Sequence, residues 1–247
     1  MNRVSTIDDR VPIRRVLVSV SDKSELETLV PGLLAQPDLT ILSTGGTYRK
    51  LESLMGDSSG RLQQVSEFTG QPEMQGGLVK TLDYRIYLSL LSEPYNEAHA
   101  ADRERLNAPL IDMVVVNLYP FRSIAARADS DLEDARGNID IGGPCMLRAA
   151  AKSFLRVAAV CDPADYPKIV DELNESDGTL SLETRFALAQ KAFGHTAQYD
   201  RAIADYLSER TLVEAREPYR VTTAVSATEQ SAAAGSVAAE RAGEEGT

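Results

Sequence analysis

Residues 111–117 constrain the fold of this chain more than any other segment. Their centre, Met113-Val-Val-Val116, is apolar without alternation, which is typical of a parallel strand that is buried on both faces. The run ends in Asn117, with Tyr119 directly before a proline. Ligands of open α/β sheets bind beyond the carboxyl ends of the strands. This polar pair therefore either contacts a ligand or simply ends the strand.

Strand-like and helical segments alternate along the chain, which is typical of a parallel sheet covered by helices. Ser24 and Glu27 resemble a capping box at the start of a helix. A long amphipathic helical stretch covers residues 181–209, with Gly194 as a candidate break. Further strands are predicted at 15–20, 39–42 and 156–161, and further helices near Thr47, Pro144 and Pro163.

One domain is predicted to occupy most of the chain, at residues 14–212. Residues 1–13 are polar and rich in Asp and Arg, so a flexible lead-in is expected there. Residues 213–247 have few apolar side chains to offset their ordering entropy, so we predict a disordered tail. The chain has no apolar run of membrane-spanning length and no signal-peptide core, so a cytoplasmic protein without a membrane partner is expected.

The formal net charge of −11 argues against nucleic acid as a partner. An anionic ligand must therefore be bound by local cations and N–H groups. Cys145 and Cys161 have no C-x-x-C spacing and no histidine nearby, so both are interpreted as reduced core residues. Neither a zinc site nor a thiol nucleophile is indicated. His195 lies in a helical segment and is interpreted as a structural histidine with its ring nitrogens satisfied.

The segment Ser43-Thr-Gly-Gly-Thr47 is a candidate phosphate site. It follows a predicted strand and precedes a predicted helix. N–H groups at a Gly-rich turn and at a helix N-terminus are suited to bind a phosphate. Gly-rich turns of this kind also occur for purely geometric reasons, so the segment alone leaves both interpretations open.

The segment Asn138-Ile-Asp-Ile-Gly-Gly-Pro144 places a carboxylate before two glycines and a proline. Pro144 suits the first helical position, where a missing N–H has no cost. Arg148 and Lys152 are then neighbours on one helix face. We expect Asp140 and Lys152 to converge on one cleft, where an acid and an amine can move protons on a small molecule. The alternative is a capped helix with a surface ion pair.

A set of short motifs runs in one order along the chain. They are Ser19-Val-Ser-Asp-Lys23, Ser43-Thr-Gly-Gly-Thr47, Thr69-Gly-Gln-Pro-Glu-Met74, Val79-Lys-Thr-Leu82, Asn117-Leu-Tyr-Pro-Phe121, Asn138-Ile-Asp-Ile-Gly-Gly-Pro144, Ala149-Ala-Ala-Lys152, Asp162-Pro-Ala-Asp-Tyr166 and Lys191-Ala-Phe-Gly-His-Thr-Ala-Gln-Tyr199. Each motif is weak alone, but the ordered set closely resembles the IMP cyclohydrolase domain of the bifunctional AICAR transformylase/IMP cyclohydrolase family. The resemblance implies an α/β fold of the methylglyoxal synthase-like class, a mostly parallel sheet flanked by helices with a C-terminal helical extension.

The chemistry that the resemblance implies is closure of a purine ring. The carboxamide nitrogen of the nucleotide FAICAR attacks its own formyl carbon, and loss of water gives IMP, with no metal or other cofactor. Because the reaction is intramolecular, orientation supplies much of the rate. The family also implies a homodimer. Since no transformylase domain follows in this sequence, we expect a separate formyltransferase in the pathway.

The resemblance also implies roles for individual residues. Lys152 is the proton donor and acceptor, paired with Asp140, and Lys80 and Tyr119 stabilise or protonate the oxyanion. The residues assigned to the nucleotide, and to its phosphate above all, are Ser21, Asp22, Lys23, Thr44, Gly45, Gly46 and Thr47. Those assigned to the rest of the pocket are Thr81, Asn117, Leu118 and Ile141.

The segment around Lys80 departs from the family pattern. Leu78 replaces an arginine expected to hold the anionic substrate, and Asp83 and Tyr87 replace two histidines. Loss of an arginine–phosphate contact forfeits a strong charge-assisted interaction, for which Arg85 is a candidate replacement.

Three functions therefore remain open. The first is an IMP cyclohydrolase, and the second is a diverged relative that acts on a different purine-like nucleotide in specialised metabolism. The third is a non-catalytic nucleotide-binding protein. Retention of Lys80, Tyr119, Asp140 and Lys152 disfavours the third, whereas the departures keep the second open. We expect the first.

Overall fold

A five-stranded parallel sheet forms the centre of the molecule, for which a computed structural model describes residues 3–72, 74–77, 79–93 and 95–222. The strands are β1 (Arg10–Pro12), β2 (Arg15–Val18), β3 (Thr40–Ser43), β4 (Leu62–Gln64), β5 (Met113–Val115), β6 (Ala158–Val160) and β7 (Thr179–Ser181). The central sheet has the order β4-β3-β2-β5-β6, with every adjacent pair parallel. β1 and β7 form a separate antiparallel pair.

Helices cover both faces of the central sheet. They are α1 (Leu26–Leu34), α2 (Gly45–Met55), α3 (Val65–Thr69), α4 (Tyr84–Leu91), α5 (Glu97–Arg105), α6 (Phe121–Ala125), α7 (Leu132–Gly137), α8 (Gly142–Lys152), α9 (Tyr166–Glu175), α10 (Leu182–Ser208) and α11 (Leu212–Arg216). α1, α2 and α9 bury their apolar residues against one face. α4, α8 and α10 bury theirs against the other.

The apolar segment 111–117 forms the buried central strand that its sequence predicts. Met113 and Val115 of β5 pack into the core on the α1 side, whereas Val114 packs into the core on the α8 side. All three side chains are at most 1% exposed. Because each face of the strand meets a layer of helices, the strand has no polar alternation.

The predicted flexible lead-in, residues 1–13, is wrong at its carboxyl-terminal end, where Arg10–Pro12 form β1. β1 pairs with β7, and the fully buried side chain of Arg185 on α10 holds the residues just before β1. Its guanidinium donates hydrogen bonds to a set of main-chain carbonyls, those of Asp8, Asp9, Phe154, Leu155 and Leu180. Residues that are distant in the sequence thus order the end of the lead-in, and the local composition of the lead-in does not reveal such contacts.

Two helix starts differ from the sequence prediction. α1 begins at Leu26 rather than at a Ser24 cap, because the N–H of Ser24 donates to the carboxylate of Asp22 at 2.9 Å. Pro144 lies at the third position of α8 rather than the first, because Gly142 already has helical geometry.

α10 and the C-terminal segment also differ from the prediction. α10 passes through Gly194 without a break, since packing against α8 and β6 outweighs the roughly 1 kcal/mol propensity cost of glycine. The predicted disordered tail begins too early, because Leu212–Arg216 form α11, which starts with a capping box between Thr211 and Glu214. Residues 223–247 lie outside the described residues. In the part of the chain that the structure describes, no helix has the length and apolarity to cross a membrane.

We predict that Arg185→Met lowers the free energy of unfolding by roughly 3 kcal/mol or more, because it leaves several buried carbonyls without a donor. Urea unfolding measures the effect. The control is Arg201→Met on the same helix. The Arg201 side chain is 74% exposed, and its ion pair among the described residues is with Asp205. The control should change stability by less than about 0.5 kcal/mol. Equal stabilities of the two variants would show that the carbonyl cluster does not need Arg185.

Candidate functional site

The loops that follow β3, β2 and β5 meet at the carboxyl edge of the sheet. The chain moves from β2 to β3 on one side and later returns to β5 on the other, and such a reversal opens a crevice where ligands bind. A cleft of about 400 Å³ lies there. Of the predicted site residues, those that line it are Ser21, Lys23, Thr44, Gly46, Thr47, Lys80, Thr81, Asn117, Tyr119, Asp140 and Ile141.

The side chain of Asn117 fastens two of these loops together. Its carbonyl oxygen accepts the N–H groups of Ser21 and Asp22 at 2.7 and 2.8 Å. Its amide nitrogen donates to the carbonyl of Asp22 at 2.7 Å. Asn117 therefore shapes the cleft by holding its loops together, and a contact between Asn117 and a ligand stays a prediction.

The candidate phosphate turn lies at one end of the cleft, where α2 begins. The first N–H groups of a helix have no partner inside the helix, so those of α2 are available to an anion. The Thr47 hydroxyl is already used, since it donates to the carbonyl of Val20 at 3.0 Å and accepts its N–H at 3.2 Å. Thr47 is thus positioned to hold the turn in place, and only its main chain is left for a ligand.

Two lysines flank the phosphate turn. The Lys23 ammonium donates to the carbonyl of Ser21 at 3.2 Å, and its Cε lies 3.8 Å from where a Cβ on Gly46 would be. The Lys80 ammonium lies 3.6 Å from where a Cβ on Gly45 would be. Gly45 also has a φ of +49°, which glycine adopts without strain. Lys80 therefore lies close to the phosphate turn, nearer to it than its implied role at the oxyanion suggests.

Asp140 lies at the other end of the cleft, directly before α8. One carboxylate oxygen accepts the N–H of Gly143 at 2.8 Å, and the other accepts the N–H of Tyr119 at 3.4 Å. The two glycines are sterically required, because a Cβ on Gly142 would lie 2.6 Å from the Thr81 hydroxyl and one on Gly143 2.7 Å from Asp140. The Gly-Gly pair thus allows α8, Thr81 and the carboxylate to approach closely.

Exposed side chains surround the mouth of the cleft, with Tyr119 45% exposed and Ile141 60% exposed. Apart from Gly45 in the candidate phosphate turn, the predicted site residues that do not line the cleft are Leu118, Asp22 and Lys152. The Leu118 side chain is buried in the core beneath Gly143. Asp22 is exposed, and its carboxylate is committed to the N–H of Ser24, which lowers its pKa.

Lys152 does not reach the cleft of its own chain, so the predicted meeting of Asp140 and Lys152 in one cleft is wrong within a single chain. Lys152 is exposed at the carboxyl end of α8, whereas Asp140 precedes the amino end. A helix rises about 1.5 Å per residue, which separates the two ends by roughly 15 Å. Closeness in a sequence motif does not bring residues to the same end of a helix.

Asp83 and Tyr87, which replace two histidines of the family pattern, face the interior of the protein. Asp83 is 2% exposed, caps α4 by accepting the N–H of Arg85 at 2.7 Å, and accepts from the Gln71 amide at 2.8 Å. Tyr87 packs against the core beside Cys145, and burial raises the pKa of its hydroxyl.

Arg85 does not replace the missing arginine. Its guanidinium donates to the carbonyls of Phe68 and Thr69 at 3.3 and 2.9 Å. The predicted replacement charge is therefore committed to the α3 terminus. Leu78 lies outside the described residues.

A second cavity, of about 820 Å³, shares Asn117 and Tyr119 with the cleft and is also lined by Cys161, His195 and Tyr199. We call it the α10 cavity. The prediction that both ring nitrogens of His195 have hydrogen-bond partners is wrong for Nε2. This atom is buried and has no partner among the described residues. Burial lowers the pKa of this imidazole. Cys161 is buried as predicted, and burial raises its thiol pKa to about 11.

Tyr199, whose hydroxyl contacts the main chain at Asp140, is not among the site residues predicted from the sequence. The available signal was the motif ending at Tyr199, in which positions 191, 195 and 199 repeat every four residues and so share one helix face. Cys145, predicted in the core, is only half-buried. Within the described residues, His, Cys, Asp and Glu side chains form no group of three or more that could hold a metal ion.

The chain matches two family models. The model of the AICARFT/IMPCHase bienzyme matches residues 150–236, and that of the MGS-like domain matches residues 28–145. The Bifunctional purine biosynthesis protein PurH of Xanthomonas campestris pv. campestris is 48% identical over 201 residues, which cover 81% of this chain and 37% of that protein. PurH of Bacillus cytotoxicus is 46% identical over 209 residues, covering 85% of this chain and 40% of that protein. The chain belongs to the AICARFT/IMPCHase family.

Family membership confirms what the ordered motifs predict, and the chain corresponds to the IMP cyclohydrolase part of the family. It spans less than half the length of these relatives. A solved structure titled "Crystal structure of ForH" superposes with a TM-score of 0.66 and 32% sequence identity, covering 78% of this chain and 98% of that chain. The predicted methylglyoxal synthase-like fold is also confirmed.

We predict that Lys23→Gln weakens binding of inorganic phosphate roughly tenfold, because a charge-assisted hydrogen bond at the phosphate turn is lost. The phosphate-dependent rise in melting temperature measures the affinity. Lys50→Gln is the control, since Lys50 lies on α2, the helix after the candidate phosphate turn, but pairs with Glu27. If both variants respond to phosphate as the wild type does, the anion binds elsewhere.

Proposed function

We propose that this protein is an IMP cyclohydrolase that closes the ring of FAICAR to give IMP. The observation that carries the proposal is the polarity of the cleft. The N-terminus of α2, with Lys23 and Lys80, lies at one end, and the Asp140 carboxylate lies at the other beside Tyr119. A nucleoside monophosphate has the matching polarity, with an anionic phosphate at one end and a hydrogen-bonding base at the other.

In the proposed mechanism the carboxamide nitrogen attacks the formyl carbon within one bound molecule, so a C–N bond forms and the carbonyl oxygen becomes an oxyanion. The cleft holds the reactive conformer. Asp140 accepts the proton that leaves the attacking nitrogen, and the Tyr119 hydroxyl donates to the oxyanion. Protonation of the resulting hydroxyl, departure of water and loss of the N–H proton of the former formamide nitrogen form the C=N bond that completes the ring. Thr81 and Ile141 enclose the base, and Ser21 and Thr44 to Thr47 hold the phosphate end.

The departures from the family pattern do not oppose this proposal. Asp83 caps α4, and Tyr87 packs against the core. The alternative of a different purine-like substrate therefore depends on Leu78, and no contact of the described residues favours it. A cleft with opposed charged ends also disfavours a purely non-catalytic role.

We further propose that two copies of the chain form a homodimer in which each copy supplies Lys152 to the cleft of the other. α8 and α10 run antiparallel, with Lys152 between two neighbouring contacts. These contacts are Arg148 to Phe193, at 5.5 Å, and Phe154 to Phe186, at 5.2 Å. Phe186 and Phe193 are 46% and 39% exposed, and such an exposed aromatic surface is typical of an interaction site.

We predict that the wild type converts FAICAR to IMP and that Asp140→Asn slows this reaction by roughly a hundredfold or more, since the proton acceptor is lost. Because an asparagine side chain can still accept the N–H of Gly143, the free energy of unfolding should change little. The absorbance of IMP measures the rate. The control is Asp131→Asn, because Asp131 caps α7 in a similar way but lies away from the cleft. This variant should convert FAICAR at the wild-type rate. A wild type that leaves FAICAR unchanged would refute the proposed function.

We predict that Lys152→Ala is inactive alone, yet regains activity when it is unfolded and refolded with Asp140→Asn. Each mixed dimer would hold one cleft with both wild-type groups, so an equal mixture should recover about a quarter of the wild-type rate. Mixing Lys152→Ala with itself is the control. If the mixture stays inactive although mixed dimers form, Lys152 does not act across the dimer.

A further inference from the structure

The last motif of the sequence, which ends at Tyr199, contributes a row of side chains to one face of α10. Lys191, His195 and Tyr199 are spaced four residues apart and all line the α10 cavity. Lys191 anchors the row at one end, where its ammonium bridges Asp162 at 2.7 Å and Asp165 at 2.8 Å. Tyr199 reaches the cleft side of the molecule at the other end.

The Tyr199 hydroxyl holds the turn that carries Asp140. It accepts the N–H of Asp140 at 2.9 Å and donates to the carbonyl of Asn138 at 3.1 Å. The side chain is 8% exposed, and its ring lies edge-on to Phe121 at 6.2 Å. Burial raises the pKa of the hydroxyl, so it keeps the proton that it donates.

The remaining contacts of this turn do not replace Tyr199. The Asn138 amide donates back to Asp134 on α7 at 2.9 Å, which fixes the amino side of the turn. The Asp140 carboxylate faces Gly143 and Tyr119, which fixes the side chain but not its main chain. Tyr199 is thus the contact that joins the Asp140 main chain to α10.

We propose that Tyr199 is a positioning residue for ring closure, one that holds the Asp140 main chain so that its carboxylate meets the substrate. The proposal rests on the proposed function. Tyr199 does not line the cleft and acts through Asp140 alone. A proton acceptor that is displaced by about 1 Å loses up to two decades of rate, whereas the phosphate turn and the base pocket are unaffected.

The expected result for Tyr199→Phe is a fall in kcat of about tenfold or more, with KM for FAICAR and Kd for IMP within about twofold of the wild type. The matched control is Tyr206→Phe. Tyr206 lies on the same helix and packs edge-on against the same Phe121 at 5.7 Å, but its hydroxyl makes no hydrogen bond to the described residues. The control should keep the wild-type kcat.

A double-mutant cycle separates positioning from a general structural effect. If Tyr199 acts through the Asp140 carboxylate, Tyr199→Phe should change kcat little once Asp140 is asparagine. A parallel loss of kcat, IMP affinity and melting temperature in Tyr199→Phe would overturn the proposal. So would a wild-type kcat in Tyr199→Phe, or effects of the two substitutions on kcat that simply add. Wild-type protein that leaves FAICAR unchanged overturns the proposed function and the positioning role with it. Normal wild-type turnover with an unaffected Tyr199→Phe overturns the positioning role alone.

Discussion

The side chain of Asn117 joins the carboxyl end of β5 to the loop after β2 through hydrogen bonds of 2.7 to 2.8 Å with the main chain of Ser21 and Asp22. Parallel strands bring their loops to the same edge, but only such a clamp gives those loops a fixed spacing. Thr47 makes the equivalent connection from α2 to Val20. The shape of the cleft thus depends on side chains that a ligand need not touch.

Asp140 connects this clamped edge to the helices behind it. Its carboxylate satisfies an N–H at the start of α8 while it faces the cleft, so the group proposed for catalysis also holds the helix that positions it. α8 then links two distant features, with Tyr199 of α10 at its amino end and Lys152 exposed at its carboxyl end. In the proposed homodimer, α10 and a second copy of the chain would both act on the proposed reaction through this helix.

The sequence predicts the elements that depend on local pattern. The buried strand at Met113–Val115 follows from its unbroken apolar run, and the turn before α2 follows from Gly45 and Gly46 between a strand and a helix. Contacts between distant segments are not visible in this way. Arg185 orders residues near Asp9, and Lys152 shares a motif with Asp140 yet lies at the opposite end of a helix. Family resemblance assigns roles to residues, but only the fold shows which of them share a cleft.

A crystal structure of the protein with bound IMP would show where the cleft holds each end of a nucleotide. We expect the phosphate against the main-chain N–H groups at Gly45 to Thr47, beside Lys23, with the purine ring between Tyr119 and Asp140. We also expect Lys152 of a second copy within hydrogen-bonding distance of the ring. A nucleotide seated in the α10 cavity, or a phosphate at the Asp140 end of the cleft, would contradict these expectations.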